Sequence, residues 1–362
     1  MYEVRLGIRA RGPLLPRMRD AGLACPSPAH AAEMKIEKIE WYPRDLPRKE
    51  RFVTSRHVSD VAQVVFVRVD ADGLEGWGAA SPSDVTGESK ASVVEVLPKL
   101  AAKLQGFAFE RGREVADAVD GFVRGHPSAK AAIDLAAFDL LGKARGVPVH
   151  EMLGRAREFV MTDRTVGLMH AEEAVARGRA HVADGFHALK LKLEGRADAN
   201  QAFTYRHALQ FSRQAYPLVV EFFEQPLPAD DLEGMRNLTE ASPIAVMADE
   251  SVVTPHDAAK VAWAKCARLV NLKLMKTGGI SRALEANAIC ESAGLPTMLG
   301  CNAESSLSIA AAVHVAMSQP NVRFADLDSH FNLAEDPATG LSLEDGYLKL
   351  SGKPGLGMDV RL

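Results

Sequence analysis

A chain of 362 residues can hold a large barrel-type domain and a smaller one beside it. Its hydrophobic fraction of 47% and charged fraction of 25% are ordinary for a globular protein, and a formal net charge of −4 argues against a nucleic-acid or anionic-membrane partner. The cysteines Cys25, Cys266, Cys290 and Cys301 show neither paired metal spacing nor a disulfide framework, and no apolar run approaches the roughly 18 residues of a membrane span, so a cytoplasmic setting is expected.

Residues 1–33 carry Arg5, Arg9, Arg11, Arg17 and Arg19 scattered among prolines, with no clear period and no apolar region after them. They read as a disordered extension rather than a secretory signal, and the folded protein is expected to open at Met34. Met34–Trp41 alternates like a half-buried strand, Val61–Val69 is a second strand, and Asp72-Gly73 marks a turn into a third at Gly76–Ala80. Helical stretches follow near 88–104, 108–123 and 127–145; the last is apolar on more than one face and is expected to be buried. Strands followed by a helix cluster make residues 34–155 a separate α+β unit. Between its strands the basic stretch Pro47–His57, with Arg48, Lys49, Arg51, Arg56 and His57, reads either as a solvated loop or as a lid over an anionic substrate.

Residues 156–327 follow a different rule. Short apolar runs end in a polar residue: Val219–Phe223 in Glu224, stopped by Pro226; Ile244–Ala248 in Asp249; Leu269–Leu272 in Lys273; Pro296–Gly300 in Cys301-Asn302; Val322–Ala325 in Asp326. The tips lie 25, 24, 28 and 25 residues apart, with alanine-rich amphipathic segments between them. That is the pattern of a β/α barrel, whose active site lies at the strand tips. Upstream, Met161–Leu168 and Ala188–Leu193 are the first two strands. Alternation puts Lys190 and Lys192 on one face, where crowding and burial would lower a lysine's pKa and make it a usable base.

The repeat breaks after Lys192. The next tip-like residues, Asp198 and Asn200, begin only six positions on, whereas a parallel crossover needs about a dozen residues. One helix and most of a strand are missing between Lys192 and Asp198, leaving seven expected barrel strands.

Lys190-x-Lys192, Asp198-x-Asn200, Glu224-Gln225-Pro226, Asp249-Glu250-Ser251 and Lys273-x-x-Lys276-x-Gly278-Gly279, in that order, resemble the enolase superfamily, muconate-lactonizing subgroup. The resemblance runs from Met34 to the C-terminus. It implies an α/β protein: a modified (β/α) barrel under an α+β capping domain to which residues 328–362 return. By that resemblance Asp198, Glu224 and Asp249 would bind Mg²⁺, Asn200 and Glu250 would support them, Lys192 and Lys273 would be the acid/base pair, and Lys190 would contact substrate. Mandelate-racemase relatives carry a catalytic histidine at the seventh tip, which here is Gly300-Cys301-Asn302.

Three carboxylates suit a hard cation such as Mg²⁺, which would stabilise the enediolate formed when an α-proton leaves a carboxylate substrate. Lysines on opposite sides could address both faces of one carbon, which is racemisation or epimerisation. Asp326-Leu327-Asp328 resembles the motif with which dipeptide epimerases hold a free ammonium. The expected activity is epimerisation of a dipeptide of the L-Ala-D/L-Glu type, with Arg51 and Arg56 of the basic stretch meeting an acidic side chain. N-acylamino-acid racemase, muconate cycloisomerase and o-succinylbenzoate synthase activities are the alternatives, as is a catalytically impaired scaffold if the shortened barrel cannot hold its metal. A homo-oligomer stays open.

Overall fold

The structure is a computed structural model that describes residues 2–7, 33–53, 58–193 and 203–362. The capping unit is an antiparallel sheet of β2 (Met34–Val53), β3 (Val58–Ala71) and β4 (Leu74–Ala80), covered by α1 (Lys90–Leu104), α2 (Gly112–Phe122) and α3 (Pro127–Arg145). Helix α3 is buried from Ser128 to Gly142, in keeping with its all-round apolar sequence. The basic stretch is not a loop up to Val53: it continues β2, and Phe52 and Val53 pair with Ser59 and Val58.

Strand–helix units follow: β5 (Arg164–Val166), α4 (Ala171–Ala183), β6 (Ala188–Leu193), α5 (Tyr205–Ala215), β7 (Val220–Glu224), α6 (Leu232–Ala241), β8 (Ala245–Ala248), α7 (Pro255–Ala264), β9 (Leu269–Leu272), α8 (Ile280–Ser292), β10 (Thr297–Gly300), α9 (Ser306–Ser318) and β11 (Val322–Asp326). From β7 to β11 every neighbouring pair of strands is parallel. Strands β5 and β6 are parallel too. The two ends of the sheet are tied together, since the Asp163 amide donates to the Ala325 carbonyl (3.2 Å) and the Leu327 amide to Thr162 Oγ1 (2.9 Å). Phe222, Met247, Leu269 and Met298, one from each of β7 to β10, form a cluster of their own. Two positions beyond Phe222 and Met247 stand the tips Glu224 and Asp249, so alternation puts plug and tips on one face.

The expected gap lies between β6 and β7, and the sheet spans it differently from the sequence reading. Residues Tyr2–Gly7, expected to belong to a disordered extension, form β1. This strand lies antiparallel between β6 and β7 and pairs with both, so the sheet has eight strands rather than seven. The edges expected to be left open are thereby paired. Among the described residues, α5 and the short 3-10 turn Tyr216–Leu218 that follows it are the helical structure between β6 and β7. A groove on the outer surface, lined by Ala174, Val175, Gly178 and Val182 of α4 and by Leu189 and Leu191 of β6, leaves Val175 56% and Val182 42% exposed. A barrel's outer helix layer would cover such a face.

After β11 the chain forms a hairpin, Leu341–Glu344 with Tyr347–Leu350, that pairs with Val160–Met161 at the barrel's start. It then reaches the cap, where the Leu356 amide donates to Asp139 Oδ1 (2.8 Å) on α3. No helix among the described residues is long and apolar enough to cross a membrane.

Candidate active site

The strand tips open into a cavity of about 560 Å³ lined by Lys190, Lys192, Glu224, Asp249, Lys273, Asp326 and Asp328, and by Glu250. These tips converge because the carboxyl ends of parallel strands all lie on one side of the sheet. Three expected residues, Asp198, Asn200 and Arg56, lie outside the described residues.

Glu224 is 2% exposed at the end of β7. Its Oε1 accepts a hydrogen bond from Asn271 Nδ2 (2.6 Å), and Lys190 Nζ stands 3.3 Å from its Oε2. Asp249, on the neighbouring strand, is held from several sides. Its Oδ2 accepts from Lys273 Nζ at 2.9 Å, its Oδ1 is ion-paired with Lys276, and Lys276 Nζ also donates to its backbone carbonyl (2.6 Å). Lys276 is fully buried, and burial pushes its ammonium below the usual lysine range against the pull of Asp249. Counting Asp326, which also pairs with Lys190, three lysines thus face three buried carboxylates, and no unpaired charge is left among them.

Gln225 fixes the loop after β8. Its Oε1 accepts from the amides of Asp249 (2.8 Å) and Ser251 (3.1 Å), while its Nε2 donates to the Leu227 carbonyl (3.0 Å) and Ser251 Oγ (2.9 Å). It does so at a φ of +36°, a conformation that costs a non-glycine residue about 1–3 kcal/mol and persists only where the surroundings over-determine it.

The third wall is acidic. Asp326 is ion-paired with Lys190. Asp328 Oδ2 accepts from the Thr165 amide (2.7 Å) and from Arg164 Nη1 (3.2 Å). Ligand-capable atoms of Cys301, Asp326 and Asp328 all lie within 4.8 Å of one another. Burial and these carboxylates push the Cys301 thiol well above its ordinary range, which removes it as a nucleophile. Glu304, near Asp326 and Lys273, is pushed up to about 7 by burial, against a hydrogen bond from the Asn302 amide (2.8 Å).

The cap closes the mouth with Arg48, Glu50 and Arg51. Arg177 Nη1 on α4 donates to Glu50 Oε1 (2.6 Å), and Lys49 Nζ donates to the Phe331 carbonyl (3.0 Å), so the hairpin is fastened to the barrel while Lys49, Glu50 and Arg51 stay exposed. Arg51, expected to meet substrate, is ion-paired with Asp60 at 2.8 Å on an exposed surface.

The sequence reading gave no role to Asn271, Lys276, Gln225 or Glu304. Of these, Gln225 and Lys276 stand inside motifs that were singled out, whereas nothing in the sequence marks Asn271 as a partner of Glu224.

The donor set suits a hard divalent cation. Glu224 and Asp249 offer buried carboxylate oxygens from adjacent strands to the same cavity. Neither supplies the soft sulfur or imidazole ligands that would favour zinc or copper.

Two family models match the chain: "Mandelate racemase / muconate lactonizing enzyme, N-terminal domain" over residues 38–154 and "Enolase C-terminal domain-like" over residues 169–362. The L-Lys-D/L-Arg epimerase of Methylococcus capsulatus is 35% identical over 367 aligned residues, covering 90% of this chain and 99% of that protein. A substrate-liganded complex of the L-Ala-D/L-Glu epimerase from Bacillus subtilis superposes with a TM-score of 0.86 at 33% identity, covering 91% of this chain and all of that one. The dipeptide epimerase of M. capsulatus complexed with Mg and the dipeptide L-Arg-D-Lys gives a TM-score of 0.83 at 35% identity over 91% of this chain and 100% of that one. The chain belongs to the enolase superfamily, in the mandelate racemase / muconate lactonizing enzyme family that includes these epimerases.

Proposed function

We propose that the chain is a Mg²⁺-dependent dipeptide epimerase in which Lys192 and Lys273 exchange the α-proton across two faces of one carbon. The observation that carries this reading is a single cavity lined by both lysines, by the buried carboxylates Glu224 and Asp249, and by the Asp326/Asp328 pair. Lys192 comes from β6 and Lys273 directly follows β9, strands separated in the sheet by β1, β7 and β8, so a substrate between them presents opposite faces to the two ammonium groups.

Glu224, Asp249 and, from outside the described residues, Asp198 would hold Mg²⁺. When bound, Mg²⁺ would neutralise the negative charge that builds on the substrate carboxylate as the enediolate forms. The remaining work falls to side chains. One lysine, neutral, takes the α-proton; the other, charged, returns a proton to the opposite face, and the two exchange roles with the substrate's configuration. Lys276, Asn271 and Gln225 keep the two carboxylates from turning away. Asp326 and Asp328 would receive the substrate's free ammonium, a group that an N-acylated amino acid lacks.

Known relatives act on dipeptides of opposite side-chain charge, L-Lys-D/L-Arg in one and L-Ala-D/L-Glu in another, so ancestry alone does not fix the side chain. An acidic preference rests on Arg48 and Arg51 at the cavity mouth, the latter also ion-paired with Asp60. The test is α-proton exchange in deuterium oxide with Mg²⁺, followed by NMR over a panel of acidic, basic and hydrophobic dipeptides and N-acylamino acids. Exchange confined to free-amine dipeptides is expected. Exchange with the acylated compounds alone would overturn the reading in favour of an N-acylamino-acid racemase.

A further inference from the structure

Strands β2 and β3 pair regularly as far as Pro47 against Val61, and the pairing resumes only where Phe52 meets Ser59. Arg48 to Arg51 on β2 thus stand against the single residue Asp60 on β3, an enlarged β-bulge. Such a bulge re-aims side chains and leaves backbone groups without ladder partners. The four residues it holds are all charged, and Arg48, Glu50 and Arg51 line the cavity mouth.

The partners that β3 does not supply come from the barrel. The Ala334 amide donates to the Pro47 carbonyl (2.8 Å), Arg48 forms an antiparallel bridge with Leu333, and Lys49 Nζ donates to the Phe331 carbonyl. Asn332 does most. Its Oδ1 accepts from the Glu50 amide (3.0 Å) and its Nδ2 donates to the Glu50 carbonyl (3.0 Å), the same pair of bonds that an opposed strand residue would make.

Asn332 ends the 3₁₀ turn Ser329–Asn332, which Asp328 precedes. That turn is held firmly. The Phe331 amide donates to the Asp328 carbonyl (3.1 Å), Ser329 Oγ donates to the Glu304 carbonyl (3.2 Å), and the Arg164 guanidinium lies 5.4 Å from the centre of the Phe331 ring. Four residues of such a turn advance about 8 Å, and two residues of extended peptide span about 7 Å. The clasp on Glu50 is thus about one dipeptide length along the chain from the carboxylate proposed to hold the ammonium.

We propose that Asn332 is a positioning residue for substrate choice: its clasp on Glu50 fixes the charged bulge, with Arg48 and Arg51, at a set distance from Asp328, so that a substrate's ammonium and its side chain are read together. This rests on the dipeptide-epimerase reading above. The Arg177–Glu50 ion pair cannot replace the clasp, because it grips the end of an exposed side chain and leaves the backbone free to shift.

The test has two independent readouts on the full chain. The first needs no substrate. In amide hydrogen exchange of Asn332→Ala, the Glu50 amide should exchange about tenfold or more faster than in the parent, while the Ala334 amide keeps its protection. Parental exchange at Glu50 would overturn the clasp. The second is kcat and KM for α-proton exchange in deuterium oxide with Mg²⁺, on L-Ala-L-Glu, L-Lys-L-Arg and L-Ala-L-Leu. In Asn332→Ala the ratio of kcat/KM between the parent's best and worst dipeptide should fall about fivefold or more, through a higher KM for the best one. Asn332→Asp, which keeps the acceptor and loses the donor, should lie between the two. An equal fall on all three dipeptides, or a fall carried by kcat, would overturn the role in substrate choice. A parent inactive on every dipeptide would instead remove the functional reading, and the role in substrate choice with it, while the hydrogen-exchange data would still decide the clasp.

Discussion

The stretch from Val220 to Asp326 and the stretch from Arg164 to Ala215 serve the same cavity by different means. In the first, each tip is carried by a strand paired to a parallel neighbour, and each carboxylate is held by several groups: Glu224 by Asn271 and Lys190, Asp249 by Lys273, Lys276 and Gln225. In the second, Lys190 and Lys192 sit on β6, whose far side is paired not to the next strand of the repeat but to residues from the chain's beginning. The difference teaches that a barrel site can be specified locally over most of its circumference and by a distant segment at one place. Asp249 and Lys273 follow strands whose neighbours all belong to the continuous run, whereas Glu224 and Lys192 both sit on strands that pair with β1.

Substitutions in the first stretch should have the largest effects. Asp249→Asn removes the charge that engages Lys273 and Lys276, and its Mg²⁺ affinity in calorimetry should fall by more than the about 100-fold that marks the loss of a supporting group. An affinity within about tenfold of the parent would show that the cation site lies elsewhere. Gln225→Ala and Asn271→Ala leave the ligands but release them, and each should weaken Mg²⁺ binding by about 10–100-fold. If Gln225→Ala binds as the parent does, the strained φ at Gln225 serves another purpose.

Gly300→Ala should do less. A Cβ there would lie 2.6 Å from Asn271 Oδ1, so the alanine pushes Asn271 off Glu224 at a cost of about 1–3 kcal/mol. Thermal unfolding and Mg²⁺ titration should both register it, the latter more weakly than Asn271→Ala does.

The smallest effect concerns the joint between cap and barrel. Asp134 on α3 accepts hydrogen bonds from Ser281 Oγ (2.6 Å) and the Ser281 amide (3.1 Å) at the start of α8. Burial nevertheless pushes its carboxyl up to about 7. Between an ordinary value near 4 and about 7 the folded state therefore holds more protons than the unfolded one, so stability falls as pH rises through that window and levels off above it. Asp134→Asn should flatten this part of the melting-temperature profile by a few degrees. An unchanged slope would place the pH dependence in another group.

Much of the barrel was legible because apolar runs ending in a polar residue, with Pro226 as a stop, mark both strand and tip. Lys190 and Lys192 were legible as one face because strand alternation has a period of two. The cap's α3 was legible from its all-round apolar composition. Residues 2–7 were not legible as a strand. Six residues alternating with arginine and glutamate are too short to stand out, and their partners lie more than 180 positions away in sequence. The hydrogen bond from Asn271 to Glu224 was equally hidden, since no local pattern predicts which buried amide turns toward which carboxylate. The basic stretch was read as a solvated loop or a lid because four consecutive charged residues, Arg48 to Arg51, carry no strand alternation; its continuation of β2 shows only in the pairing with β3.

The central claim is that both stretches contribute one base each to a single reacting carbon. The most direct test is deuterium incorporation at the α-carbon, followed by NMR with each of two epimeric dipeptides, for Lys192→Ala and Lys273→Ala. The account predicts that each variant loses exchange from one epimer by about 100-fold or more, and that the lost epimer differs between the two. Parental exchange from both epimers in Lys192→Ala, with loss of both in Lys273→Ala, would contradict it and confine the chemistry to the continuous half of the barrel.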